Sequence, residues 1–139
     1  MAVEVDIFYE GDLHCRAVHL PSGSSFMTDA PVDNGGKGEL FSPTDLVGTA
    51  LGSCILTIMG LVAQRNSLDI RGAKVHVKKE MAAAPVRRIG SLHATVTIPR
   101  GSALSPAART KLEQTAKACP VRQSLHPDVE LHIDIVYAD

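Results

Sequence analysis

Ser42-Pro43-Thr44-Asp45-Leu46-Val47-Gly48-Thr49-Ala50-Leu51-Gly52-Ser53-Cys54 runs on through Ile55-Leu56-Thr57-Ile58-Met59-Gly60-Leu61-Val62-Ala63. This stretch reads as one long helix with a well-marked start. Ser42 is a good N-cap, Pro43 suits the first helical position, and Asp45 stands three residues after the cap. Ser-x-x-Asp is a variant of the capping box, and its carboxylate also faces the positive end of the helix dipole. The helix is expected to reach about Arg65-Asn66. Its sides are apolar all round, so burial on every side is expected. Gly48 and Gly52 share a face and let another backbone come close. A small monomer has too little chain to surround such a helix, and a partner subunit could supply the missing cover. Leu46 to Ala63 carries no charge and lies at the lower length limit for a membrane span. Its glycines, its Thr49, Ser53 and Thr57, and the lack of a one-sided basic flank point to a core helix instead.

On the N-terminal side, Val3, Val5, Ile7 and Tyr9 alternate with Glu4, Asp6 and Phe8, the period of a half-buried strand. Glu10-Gly11-Asp12 is a turn, and Leu13 to Leu20 completes a hairpin. Pro21-Ser22-Gly23-Ser24 turns the chain into a third strand, roughly Ser25 to Asp29. Ala30 to Phe41 is a polar, glycine-rich loop expected to be mobile or to border a pocket. On the C-terminal side, Ala73 to Glu80 and Arg88 to Pro99 alternate as a second hairpin. Ser105-Pro106 opens an amphipathic helix that leads to Cys119. Pro120 disfavours helical geometry at Cys119 itself. Val121 to Asp128 is turn-rich, with room for one short helical turn, and Val129 to Tyr137 is a last strand. Strands that come in hairpins make the fold α+β with largely antiparallel sheets, in one domain over residues 1–139.

Composition narrows the function. The chain has 139 residues, 14 basic and 15 acidic, so nothing suggests nucleic acid or an anionic membrane as a partner. With no Trp, two Tyr and three Phe, it also lacks the aromatics of a base-stacking surface. The N-terminus has no basic-then-apolar export pattern, and the three cysteines are an odd number. A reducing, cytoplasmic setting is expected. No CxxC, HExxH, Walker, GxGxxG or GxSxG pattern occurs, so no metal or cofactor site is expected.

The cysteines carry what chemistry remains. Cys54 lies about three turns into its helix, beyond the useful reach of the helix dipole. An active thiolate there needs a nearby cation, and Arg16, His14 and His19 are the candidates. Cys119 sits at a helix end, where the backbone can bring its sulfur to a partner. The two fit a nucleophile and a resolving thiol, or two structural core residues. Cys15, on a strand, reads as a core residue or a spare thiol.

Thr28-Asp29-Ala30-Pro31 with Gly35-Gly36, Ser42-Pro43-Thr44-Asp45-Leu46, Ala50-Leu51-Gly52-Ser53-Cys54 and Cys119-Pro120-Val121 together resemble the osmotically inducible protein C / organic hydroperoxide resistance (OsmC/Ohr) family. The resemblance covers nearly the whole chain. It implies an intertwined homodimer, with sheets wrapped around long central helices. It implies that Cys54 is peroxidatic, that Cys119 resolves its sulfenate as a Cys54–Cys119 disulfide, and that an organic hydroperoxide is reduced to its alcohol. An external dithiol, in one branch a lipoyl group on a carrier protein, would restore both thiols, with no bound cofactor or metal. Arg16 lies on about the strand that carries the family's arginine over the nucleophile. The hydroperoxide-reducing branches usually carry a glutamate at the helix start, where this chain has Thr44. Asp45, one residue later, points about 100° away, so a cap suits it better than catalysis. That departure is closer to the less characterised OsmC-like branch. It also keeps open a non-catalytic dimer that binds a small ligand or a partner.

Overall fold

The computed structural model describes residues 1–139. The chain divides into two compact units, Met1–Val47 and Gly48–Asp139.

In the first unit, β1 (Val5–Gly11), β2 (His14–His19) and β3 (Ser25–Asp29) form an antiparallel sheet in that order. Opposed residues share a face, so Ile7 lies across from Ala17, and Ala17 from Phe26. Arg16, between Phe8 and Met27, belongs to the other face. Every residue of β1 from Val5 to Glu10 is exposed, which departs from the half-buried strand expected there. The alternation is present, but β1 is an edge strand whose apolar face lacks cover.

After β3 the chain makes a single 3-10 turn, Val32–Asn34, and returns so that the Asp29 N–H donates to the Phe41 carbonyl at 3.1 Å. Gly36 is required inside this loop, because any side chain there would collide with the backbone of Ala30. The helix α1 (Pro43–Arg65) begins as its cap predicted. The Asp45 N–H donates to Ser42 Oγ at 3.1 Å, and the Ser42 N–H donates to Asp45 Oδ2 at 2.9 Å, a reciprocal capping box.

In the second unit, β4 (Lys74–Ala82) and β5 (Arg88–Ile98) are antiparallel, and β6 (Glu130–Tyr137) joins β5 in parallel. The sheet is therefore mixed, because the helices between β5 and β6 return the chain to the starting end. These are α2 (Pro106–Lys117) and the one-turn α3 (Pro120–Ser124). Leu92, Ala94, Val96 and Ile98 of β5, Leu51, Ile55 and Met59 of α1, and Leu112 and Ala116 of α2 have no exposed surface. They form the core. Gly48 and Gly52 lie against strand side chains, not another backbone: a Cβ on Gly52 would stand 2.9 Å from Val75 Cγ1 and 3.1 Å from Val77 Cγ2.

The burial of α1 on all sides is not found. Its buried residues form the stripe Gly48, Leu51, Gly52, Ile55, Met59 and Ala63, while Thr49, Ala50, Ser53, Thr57 and Leu61 are exposed. By length and apolarity this helix could cross a membrane. Its stripe against β4 is the packing of a core helix.

A candidate dithiol site

Cys54 projects from the middle of α1 and is half-buried. Cys119 lies between α2 and α3, fully buried. Pro120 has the effect its ring requires: Cys119 takes φ −57° and ψ 124°, outside helical geometry, and becomes the residue that starts α3. The turn carries the sulfur back to α1, close enough to Cys54 for the two thiols to act on each other.

Burial pushes the Cys119 thiol up, and Cys54 beside it pushes it further. The backbone N–H groups of Arg122 and Val121 pull it back in part. They face the sulfur without forming a full capping bond. The net direction is upward, so Cys119 is a protonated thiol near neutral pH. One member of the pair is therefore reachable from solvent and the other is a sheltered proton donor. A partly exposed thiol can meet an oxidant. A buried thiol in contact with it can condense with the product.

Arg16 is placed on β2 of the first unit. Its Nε donates to Glu10 Oε1 at 2.8 Å, and its guanidinium lies 4.6 Å from the centre of the Phe8 ring. Glu10, at the irregular end of β1, had no signal in the sequence as a partner for Arg16. His19 Nδ1 is 2.6 Å from Ser22 Oγ, and His14 is turned toward Asp12, Asp29 and Glu39. Cys15 is half-buried opposite Tyr9 and Thr28. Thr44 Oγ1 is 3.2 Å from Ser42 Oγ, so the helix start is organised around its cap.

A family model described as OsmC-like protein matches residues 36–134. The chain belongs to the OsmC-like family. A Psychrobacter arcticus protein assigned to osmotic stress induction and detoxification response is 44% identical, over 94% of this chain and 93% of that one, with a TM-score of 0.87. An organic hydroperoxide resistance protein OsmC from Legionella pneumophila has a TM-score of 0.73 at 15% identity, covering 98% and 97% of the two chains. An organic hydroperoxide resistance protein from Elizabethkingia anophelis, with thiocyanate bound, gives 0.73 at 14% over 99% and 96%. The last two show the shared fold. A search of curated protein sequences returns no match. This chain thus has the α+β fold of the OsmC-like family.

Proposed function

We propose that the protein is a thiol-dependent peroxidase for organic hydroperoxides. What supports this reading is the pairing of a half-buried Cys54 with a fully buried Cys119 whose thiol Cys54 perturbs. The Cys54 thiolate attacks the distal peroxide oxygen, the O–O bond breaks, and the alkoxide leaves as alcohol after taking a proton. Cys54 is now a sulfenic acid. The Cys119 sulfur attacks it, a disulfide forms and water leaves. An external dithiol, a lipoyl group being the family's precedent, reduces the disulfide and returns both thiols. The family resemblance implies Arg16 as the cation that favours the thiolate, and Glu10 accepts from its Nε at 2.8 Å.

The functional unit in this reading is a homodimer in the cytoplasm. The exposed small-residue face of α1 and the uncovered apolar face of β1 to β3 support a second copy as their cover. Light scattering should find two chains per particle.

Peroxide consumption tests the reaction. With cumene hydroperoxide and dithiothreitol, the wild type should turn over and Cys54→Ser should fall to background. Cys119→Ser should still be oxidised once, and its sulfenic acid should be trapped by dimedone. Equal turnover by wild type and Cys54→Ser would sink the proposal. The capping role of Asp45 beside Thr44 favours one second reading, a dimer that binds a small ligand without catalysis. That reading predicts no Cys54–Cys119 disulfide in peptide maps after mild peroxide.

A further inference from the structure

Three side chains of the first unit converge at the base of the Ala30–Phe41 loop. His14 Nε2 is 3.3 Å from Glu39 Oε2 and 3.8 Å from Asp29 Oδ2. One ligand-type atom from each residue falls within a group no wider than 4.8 Å. They are scattered along the sequence with no motif spacing, so only the fold assembles them. The β2–β3 pairing sets His14 opposite Asp29, and the returning loop brings Glu39.

The polar accounting at this point is incomplete. His14 Nδ1 is 2.7 Å from the Asp12 carbonyl oxygen. A carbonyl can only accept, so the proton belongs on Nδ1. In the neutral ring, Nε2 then presents a lone pair to two carboxylates. Asp29 is sealed, with no exposed side-chain surface. Its Oδ2 accepts from the backbone N–H groups of Lys37 (3.2 Å) and Glu39 (3.1 Å). Its Oδ1 is buried with no hydrogen-bond partner. A buried carboxylate oxygen left unpaired is costly. His14 Nε2 stands 3.8 Å from Oδ2, too far for a hydrogen bond, and 3.3 Å from Glu39 Oε2. A cation among the three would engage the lone pair and both carboxylates together.

We propose that His14, Asp29 and Glu39 form a binding site for one divalent transition-metal ion. Bonds of about 2.1 Å place neighbouring ligand atoms roughly 3.0–3.4 Å apart. The observed 3.3 and 3.8 Å from His14, within a group no wider than 4.8 Å, require the three side chains to close in around the ion. Glu39, whose side chain is 55% exposed, is free to move inward. One imidazole and two carboxylates suit manganese, iron or zinc, and three protein ligands leave positions for water. The Asp12 carbonyl on the far ring nitrogen is the usual outer support of a metal-bound histidine. Such an ion would tie the loop to β2 and β3.

Manganese is the probe of choice, because the cysteine thiols compete poorly for it. Metal-stripped full-length protein is titrated with Mn2+, and the free aquo-ion signal is followed by electron paramagnetic resonance. The expected result is loss of that signal to one ion per chain. Glu39→Gln should weaken binding by about tenfold or more, since even an outer-sphere partner is worth roughly 10–100-fold. His14→Gln should do the same. Circular dichroism of both variants confirms folding, and the exposed Glu39 is the safer of the two. An undiminished aquo signal, or equal Mn2+ affinity in wild type and Glu39→Gln, overturns the assignment and leaves His14 as part of an ion pair only.

Discussion

In β5, Leu92, Ala94, Val96 and Ile98 alternate with more polar neighbours and are fully buried. In β1, Val5, Ile7 and Tyr9 alternate as regularly, yet they are 52%, 60% and 68% exposed. Both strands are read from sequence by the same rule. β5 is the central strand of its sheet, and its apolar face belongs to a core with α1 and α2 residues. β1 is an edge strand with one neighbour. Alternation names the side chains that share a face. Whether anything covers that face depends on what packs there, and the strand does not encode that.

The largest effects should break this contrast open. Leu92→Ala or Met59→Ala removes a fully buried side chain and should cost about 2–5 kcal/mol in chemical denaturation. Ile7→Ala in dilute protein should stay within about 0.5 kcal/mol. If a second copy covers the β1 face, the Ile7→Ala penalty grows with protein concentration, and the melting temperature records it.

Gly52→Ala probes the same core from the side of the helix. The new Cβ would stand 2.9 Å from Val75. Overpacking of this kind should destabilise by about 1–3 kcal/mol, whereas Gly60, with open space around it, should accept alanine. Ser42→Ala breaks one half of the capping box and should cost about 1 kcal/mol. A null result there would mean that Pro43 and the following turn start the helix unaided.

The smallest effect concerns Tyr137 at the end of the second sheet. Burial, followed by the hydrogen bond its hydroxyl donates to Glu113, pushes the phenol up to about 12. Its folded value lies above the unfolded value of about 10. The stabilisation is therefore complete below pH ~10 and is lost as pH rises toward about 12. Melting curves of Tyr137→Phe should fall less steeply across that window than those of the wild type.

Much of the local structure was legible in the residues. The capping box at Ser42 and Asp45, the extended backbone of Cys119 before Pro120, and the short helical turn after it all follow from local sterics and hydrogen bonding. The alternation of the second sheet's strands is matched by its solvent face, where His76, His93 and His132 are exposed. The parallel entry of β6 was less legible, because direction is set by the whole α2–α3 connection. The apolar composition of α1 calls for cover on every side, and within this chain only one stripe receives it. For the site, the residues supplied two cysteines in different settings, and resemblance supplied their roles. The partner of Arg16 was illegible, since Glu10 reaches it only through the irregular register at the end of β1.

The sequence by itself determined the elements, their starts and the face each presents, because these depend on neighbours within a few residues. Only the tertiary structure decided that the Cys119 thiol meets Cys54, and that His14, Asp29 and Glu39 converge under one loop. Contacts between residues far apart in the chain are chosen by packing and strand register, which no local pattern records.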